Sequence, residues 1–170
     1  MSSYESPQYK TLKTQGKFEI RAYEPFSTVS IITDDFSGKI GFGELFRYIR
    51  GNNEKNEKMA MTVPVINTME DAGMSMEFVH PASHQKTPPK PTADNLRIKD
   101  YPAHTVALMR FNGKIKPKRL AKTQMVLSEM IKENGYEIAG AFRLARYNSP
   151  FSIPMFRRNE LMVEVSKSTS

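Results

Sequence analysis

The sequence predicts an α+β fold: a twisted, eight-stranded, mostly antiparallel sheet, or a partly closed barrel, with two helices. The first observation behind this prediction is an internal repeat, because Phe-Ser-Gly-Lys-Ile at 36–40 returns as Phe-Asn-Gly-Lys-Ile at 111–115. The second is that each copy changes from strand periodicity to helical periodicity and back. Two strand-strand-helix-strand-strand units give a sheet large enough to twist and curl.

The length and composition favour a single domain. The chain has 170 residues, of which 39% are hydrophobic, so it is long enough for a substantial core. We interpret 1–170 as one domain with pseudo-repeats at about 15–80 and about 95–166. Cysteine is absent, which excludes disulfides, thiolate metal sites and cysteine nucleophiles. A polar N-terminus and the lack of a membrane-length apolar run predict a soluble, cytoplasmic protein without a membrane span.

The first copy is predicted to begin with a hairpin. Alternating residues 18–23 and the β-branched stretch 26–33 are separated by Pro25. A helix over 36–50 is indicated by apolar residues at i, i+3, i+4 and i+7, and it ends at the Gly-Asn-Asn of 51–53. Residues 59–67 and 75–80 are expected to be extended, since Pro64 and several β-branched residues oppose a helix.

The second copy repeats this order after a proline-rich connector at 81–91. Strands are predicted over 96–101 and 104–111. Pro117 suits the first turn of a helix that ends at Asn134-Gly135. Residues 136–147 are expected to be extended, and the alternating stretch 160–165 is the predicted last strand.

The formal net charge of +7 favours anionic partners. The densest basic group lies at 114–122 and consists of Lys114, Lys116, Lys118, Arg119 and Lys122. No zinc-finger spacing, glycine-rich phosphate loop or aromatic RNA-binding signature accompanies it, so no nucleic-acid partner is expected. The simplest interpretation of this group is a solvated basic surface.

No catalytic constellation is visible, and we predict that the chain is not an enzyme. It has neither a Gly-x-Ser-x-Gly nucleophile elbow nor a His-Glu-x-x-His motif. His80 and His84 are four residues apart, but Pro81 prevents the helical turn that would align them, so no metal site is predicted. Met59 and Met61 share one face of an extended segment, and we interpret them as an apolar wall.

The first helix carries the most informative surface. On a helical wheel, Gly43 lies between an aromatic stripe and three cations, Lys39, Arg47 and Arg50. A mid-helix glycine costs about 1 kcal/mol relative to alanine. Close approach of a flat ligand with acidic groups would compensate for that cost. The alternative is an ordinary amphipathic helix whose aromatic residues pack in the core.

Three segments together resemble the SOUL family of haem-binding proteins. They are Gly-Asn-Asn at 51–53, Lys-Met-Ala-Met-Thr-Val-Pro-Val at 58–65 and Arg-Arg-Asn-Glu-Leu at 157–161. The similarity covers residues 9–165, and the family is similar in turn to bacterial effector-binding domains. The resemblance implies a duplicated unit and a tetrapyrrole site against the first helix. The segment 157–160 we interpret as structural, an ion-pair and hydrogen-bond set that anchors the last strand.

The resemblance also implies which residues bind the tetrapyrrole. The apolar floor would be formed by Phe42, Leu45, Phe46 and Ile49. Basic residues for the propionates would be Lys39 and Arg47. The apolar loop before the last strand would add Met155 and Phe156.

This chain departs from the family in two respects. No histidine lies in or near the first helix to act as an axial ligand, and the loop 151–156 lacks the basic residue that some members have there. We therefore expect haem or metal-free porphyrin to be held by apolar burial and propionate pairing. Three alternatives stay open: a binding module for another hydrophobic effector, an interaction protein that docks a partner through the second helix or the loop, and a tetrapyrrole-processing enzyme.

Overall fold

The computed structural model describes residues 4–33, 39–70, 73–148 and 158–169. Within these ranges the chain forms nine β-strands, two α-helices and a short 3₁₀ turn at Ala82–His84. The predicted α+β class is confirmed, with nine strands instead of eight. The elements are β1 Tyr9–Gln15, β2 Phe18–Tyr23, β3 Phe26–Thr33, α1 Lys39–Ile49, β4 Val65–Glu70, β5 Gly73–Val79, β6 Leu96–Tyr101, β7 His104–Asn112, α2 Pro117–Glu133, β8 Tyr136–Arg146 and β9 Arg158–Lys167.

The chain divides into two compact units, of which the first comprises 1–7 and 25–102. Its strands are hydrogen-bonded in the order β4-β5-β3-β6, and each neighbouring pair is antiparallel. The register sets Val29 opposite both Phe78 and Ile98. Because residues paired across an antiparallel ladder point to the same face, these apolar residues share one side of the sheet. Helix α1 packs on β3 and β5 and completes this core.

The second unit comprises 8–24 and 103–170. Its strands follow the order β1-β2-β7-β9-β8, again with antiparallel neighbours. Helix α2 contacts β7, β8 and β9. It buries Leu120, Leu127 and Ile131, whose spacing of seven and four residues places them on one helical face.

Most element boundaries agree with the sequence predictions, and the differences have physical reasons. Strand β1 was not predicted, because every one of its residues is exposed and its sequence has no apolar alternation. It exists through its ladder with β2, which the local sequence does not reveal. Strand β4 begins only at Val65, so the segment predicted to be extended from Met59 enters the ladder late. The pseudo-repeat stays a prediction.

No helix in the described ranges combines the length and the apolar content that a membrane-spanning helix needs.

Candidate functional site

Helix α1 presents one face to the core of the first unit. Leu45, Tyr48 and Ile49 are buried there. Gly41 allows the close approach, since a Cβ at this position would lie 3.3 Å from Ile31 Cγ2 and 3.5 Å from Met76 Sδ. A side chain at position 41 would therefore crowd the helix against the sheet.

An aromatic pair continues from this core to solvent. The Phe42 ring is half-buried and meets the Phe78 ring edge-on, with 5.1 Å between the ring centres. On its other side it stacks with Phe46, at 6.0 Å between centres and 13° between planes. Phe46 itself is 38% exposed. Aromatic surface is thus available to a ligand at the outer end of the pair.

Cations border the aromatic pair. The guanidinium carbon of Arg50 lies 5.6 Å from the centre of the Phe46 ring, within the range of a cation–π contact. Arg47, whose side chain is 60% exposed, pairs with Glu44 one turn earlier on the same helix. An exposed pair of this kind contributes little to stability, so its arginine can exchange partners with a bound carboxylate at small cost. Lys39 is the first residue of α1, and its side chain lies outside the described part of the structure.

Gly43, the second glycine of α1, differs from Gly41 in having open space beside it. Apart from the adjoining residues and the backbone of the helix itself, no described atom lies within 4 Å of the Cβ that an alanine would place at Gly43. Ile40, three residues earlier on the same side of the helix, is 75% exposed. The sequence analysis did not include Ile40 among the binding residues, because it falls outside the apolar stripe at i, i+3, i+4 and i+7. An apolar residue on the polar side of an amphipathic helix was the signal that could have indicated it. We call the exposed side of this helix the α1 surface: Ile40, Phe42, Gly43, Phe46, Arg47 and Arg50.

The predicted binding residues are therefore distributed over three locations. Phe42, Phe46 and Arg47 lie together on the α1 surface. Leu45 and Ile49 are buried beneath it in the core. Met155 and Phe156 lie outside the described residues.

A buried chain of hydrogen bonds fixes Tyr48 on the core side of α1. Tyr48 donates to the carbonyl of Pro89 at 2.6 Å, so its oxygen is left to accept from His80 Nε2 at 3.0 Å. A neutral imidazole that carries its proton on Nε2 accepts at Nδ1, where the Ser27 hydroxyl lies 2.9 Å away. Burial lowers the pKa of His80 to about 4, which keeps the ring neutral. Burial also raises the pKa of Tyr48, which therefore stays a donor.

His80 and His84 are both engaged in polar contacts with neighbouring side chains. His80 uses both ring nitrogens, and His84 Nε2 lies 2.8 Å from a Glu57 carboxylate oxygen. In the described ranges no three histidine or acidic side chains are grouped so that they could hold a metal ion. The α1 surface likewise offers no strong ligand to haem iron, since its residues carry neither imidazole nor sulfur.

The prediction that 157–160 anchors the last strand is confirmed for 158–160 in the second unit, while Arg157 lies outside the described residues. Glu160 is buried and accepts two hydrogen bonds from Arg21, at 2.9 and 2.8 Å. Arg158 and Tyr147 donate to the same carboxylate at 2.9 and 2.8 Å. Burial acts to raise the pKa of Glu160, but these donors outweigh it and hold that pKa below its ordinary value. Asn159 completes the set by donating to the carbonyl of Gly113 at 3.0 Å.

Comparison with known proteins identifies the family. The model of the family described as "SOUL heme-binding protein" matches residues 4–164. The chain belongs to the SOUL family. It is similar to heme-binding protein 2 of Mus musculus, with 29% identity over 158 residues that cover 86% of this chain and 77% of the relative. It is also similar to heme-binding protein 1 of Mus musculus, with 28% identity over 176 residues that cover 94% of this chain and 92% of the relative.

A solved structure shows the same fold at much lower sequence identity. The C-terminal domain of EcmrR superimposes with a TM-score of 0.64 and 16% identity, covering 94% of this chain and 98% of that domain. At this identity the likeness concerns the fold alone. It agrees with the α+β architecture described above.

Proposed function

We propose that this SOUL-family chain binds or carries haem and related tetrapyrroles, and that the α1 surface is its binding site. The observation that carries the proposal is the exposed Phe46 ring beside Gly43, a glycine with no packing role among the described residues. Exposed aromatic surface next to a costly mid-helix glycine suits a ligand that is flat and approaches the backbone closely.

The bound macrocycle would lie over Gly43 against Phe46. Burial of the exposed part of the Phe46 ring and of Ile40 supplies the apolar contribution to affinity. Leu45 and Ile49 support the aromatic pair from within the core. In this proposal Met155 and Phe156 border the ligand from the loop that precedes β9.

The two propionates would pair with cations at the edge of the same surface. Arg47 exchanges its partner Glu44 for one propionate, and Arg50 moves from the Phe46 ring to the second propionate. Lys39 begins the same helix and adds a positive charge. Because the α1 surface contains no iron ligand, haem and metal-free porphyrin should bind with similar affinity.

The site supports binding rather than turnover. None of the residues of the α1 surface is a general acid, a general base or a nucleophile in the setting that acid–base or covalent catalysis requires. The Soret absorbance of a bound haem should therefore stay constant with time. Progressive loss of that band in the wild-type chain, but not in free haem, would instead indicate a tetrapyrrole-processing enzyme.

The experiment that tests the site is a haem titration followed by absorbance. Phe46→Asp removes the aromatic contact and should weaken binding about 10- to 100-fold, the loss expected for one buried aromatic side chain. Arg47→Glu replaces a propionate partner by a like charge and should weaken binding about five- to tenfold. The matched controls are Leu12→Asp and Lys10→Glu on exposed β1. Wild-type affinity in both α1 variants would show that the proposed surface is wrong.

A further inference from the structure

The basic group at 114–122 lies at a helix end where its charge opposes folding. Pro117 is the first residue of α2, so Lys116 caps the helix and Lys118 lies in its first turn. The Lys116 side chain makes no capping hydrogen bond, and the first turn contains no acidic residue. Since the N-terminus of a helix carries partial positive charge, acidic residues stabilise this position and lysines do not.

These lysines also have no compensating partners within the part of the chain that the structure describes. None of Lys114, Lys116, Lys118 and Lys122 forms an ion pair with any residue in the described ranges. All four are exposed. Arg119 differs from them, because its guanidinium carbon lies 5.1 Å from the centre of the Phe111 ring and is used within the unit. The described part of the fold gives no reason for placing these four lysines around one helix end.

The same helix face continues into exposed apolar side chains. Met125 and Val126 follow Lys122 by three and four residues, which places them beside it on the helix surface. They are 67% and 42% exposed. The inner face of α2 is occupied by its own core through Leu120, Leu127 and Ile131, so this outer face is available without any opening of the fold.

We propose that the outer face of α2, formed by Lys118, Lys122, Met125 and Val126 and preceded in the chain by exposed Lys114 and Lys116, docks on an anionic phospholipid surface. Lysine ammonium groups meet the phosphate and carboxylate groups of lipid headgroups, and the two apolar side chains enter the boundary beneath them. Nucleic acid fits the face less well. The face presents no aromatic side chain for stacking with the bases of a single strand, and the phosphate backbone of a duplex would leave Met125 and Val126 without an apolar partner. The helix does not insert as a whole, since its apolar stripe stays in the core.

The test is flotation of the full chain with vesicles of phosphatidylcholine alone and of phosphatidylcholine mixed with phosphatidylserine. Binding should require phosphatidylserine and should fall as salt is raised. The double variant Lys118→Glu, Lys122→Glu should lose at least about 25-fold in partitioning, on the basis of about fivefold for each lysine near a charged bilayer. Because an acid in the first turn complements the helix dipole, this variant should unfold at a temperature no lower than the wild type.

Two further double variants test which residues are responsible for binding to vesicles. The control Lys10→Glu, Lys13→Glu on exposed β1 makes the same change in net charge and should keep most of the binding. Met125→Ser, Val126→Ser should weaken binding to vesicles but leave binding to a soluble polyanion such as a DNA duplex unchanged. The proposal is overturned if phosphatidylserine vesicles do not bind at low salt. It is also overturned if both charge variants lose binding equally, or if the duplex binds more tightly than the vesicles.

Discussion

Replacing Gly43 by alanine should make the chain more stable and at the same time weaken its affinity for porphyrin. Outside the adjoining residues and the helix's own backbone, the methyl group meets no described atom within 4 Å, so it adds no strain. Alanine is favoured over glycine in a helix by about 1 kcal/mol. For a chain of this size that gain corresponds to a rise of about 2–4 °C in the midpoint of thermal unfolding.

The loss of affinity follows from the close approach that the proposal requires. A methyl group inserted between the helix backbone and a macrocycle acts like overpacking of a well-packed contact, which costs about 1–3 kcal/mol. The affinity should therefore fall about five- to 150-fold. Thermal unfolding of the unliganded chain and an absorbance titration with protoporphyrin measure the two effects separately.

Gly41→Ala is the matched control, in the same helix and two residues away. Its methyl group would meet Ile31 and Met76 at 3.3 and 3.5 Å, so crowding offsets the gain in helix propensity and no rise in stability is expected. Its affinity for porphyrin should stay near that of the wild type. If Gly43→Ala is more stable but binds porphyrin as the wild type does, then porphyrin does not approach this glycine and the proposed placement of the macrocycle over Gly43 is wrong.

Three other predictions concern the buried networks and the ligand. Glu160→Gln removes one of the two carboxylates that pair with buried Arg21, leaving only that of Glu19, and should lower the free energy of unfolding in urea by about 1.5–3 kcal/mol; a loss below about 1 kcal/mol would contradict this role. Because the folded pKa of His80 lies at about 4, below the unfolded value, the unfolded chain binds the extra proton between about pH 6.5 and 4. Stability should therefore fall by about 2 kcal/mol from pH 7 to pH 5, and urea titrations of His80→Gln should show a smaller fall over this range; an unchanged pH dependence would speak against the neutral ring. Haem and metal-free protoporphyrin should bind the wild type with dissociation constants within about tenfold of each other, and a failure of the metal-free ligand would imply an iron ligand outside the α1 surface.

The sequence was sufficient for those elements whose apolar pattern is local. Strands β2, β3 and β6 were predicted with their observed bounds, because alternating or β-branched residues define each strand and Pro25 or Pro102 marks one of its ends. Strand β1 was not predicted, since its stability comes from pairing with β2 and its own residues are all exposed. A local pattern does not report a ladder formed with another segment.

The candidate site was predictable only in part, for a related reason. Helical periodicity groups Phe42, Leu45, Phe46 and Ile49, but it does not say that Leu45 and Ile49 are buried while Phe46 is exposed. That division depends on the sheet against which α1 packs. The Ser27–His80–Tyr48 chain could not be predicted either, because its hydrogen-bonded pairs are 53 and 32 residues apart in sequence and meet only in the folded unit.

The binding surface can be located most directly by two-dimensional amide NMR of the chain titrated with diamagnetic, metal-free protoporphyrin. The ring current of the macrocycle shifts resonances only at short range, so the shifts report contact rather than global change. The largest shifts should fall on the amides of Gly43, Phe46 and Arg47, while those of α2 and β1 stay in place. Large shifts elsewhere, with the amide resonances of Gly43 and Phe46 unchanged, would contradict a porphyrin site on the α1 surface.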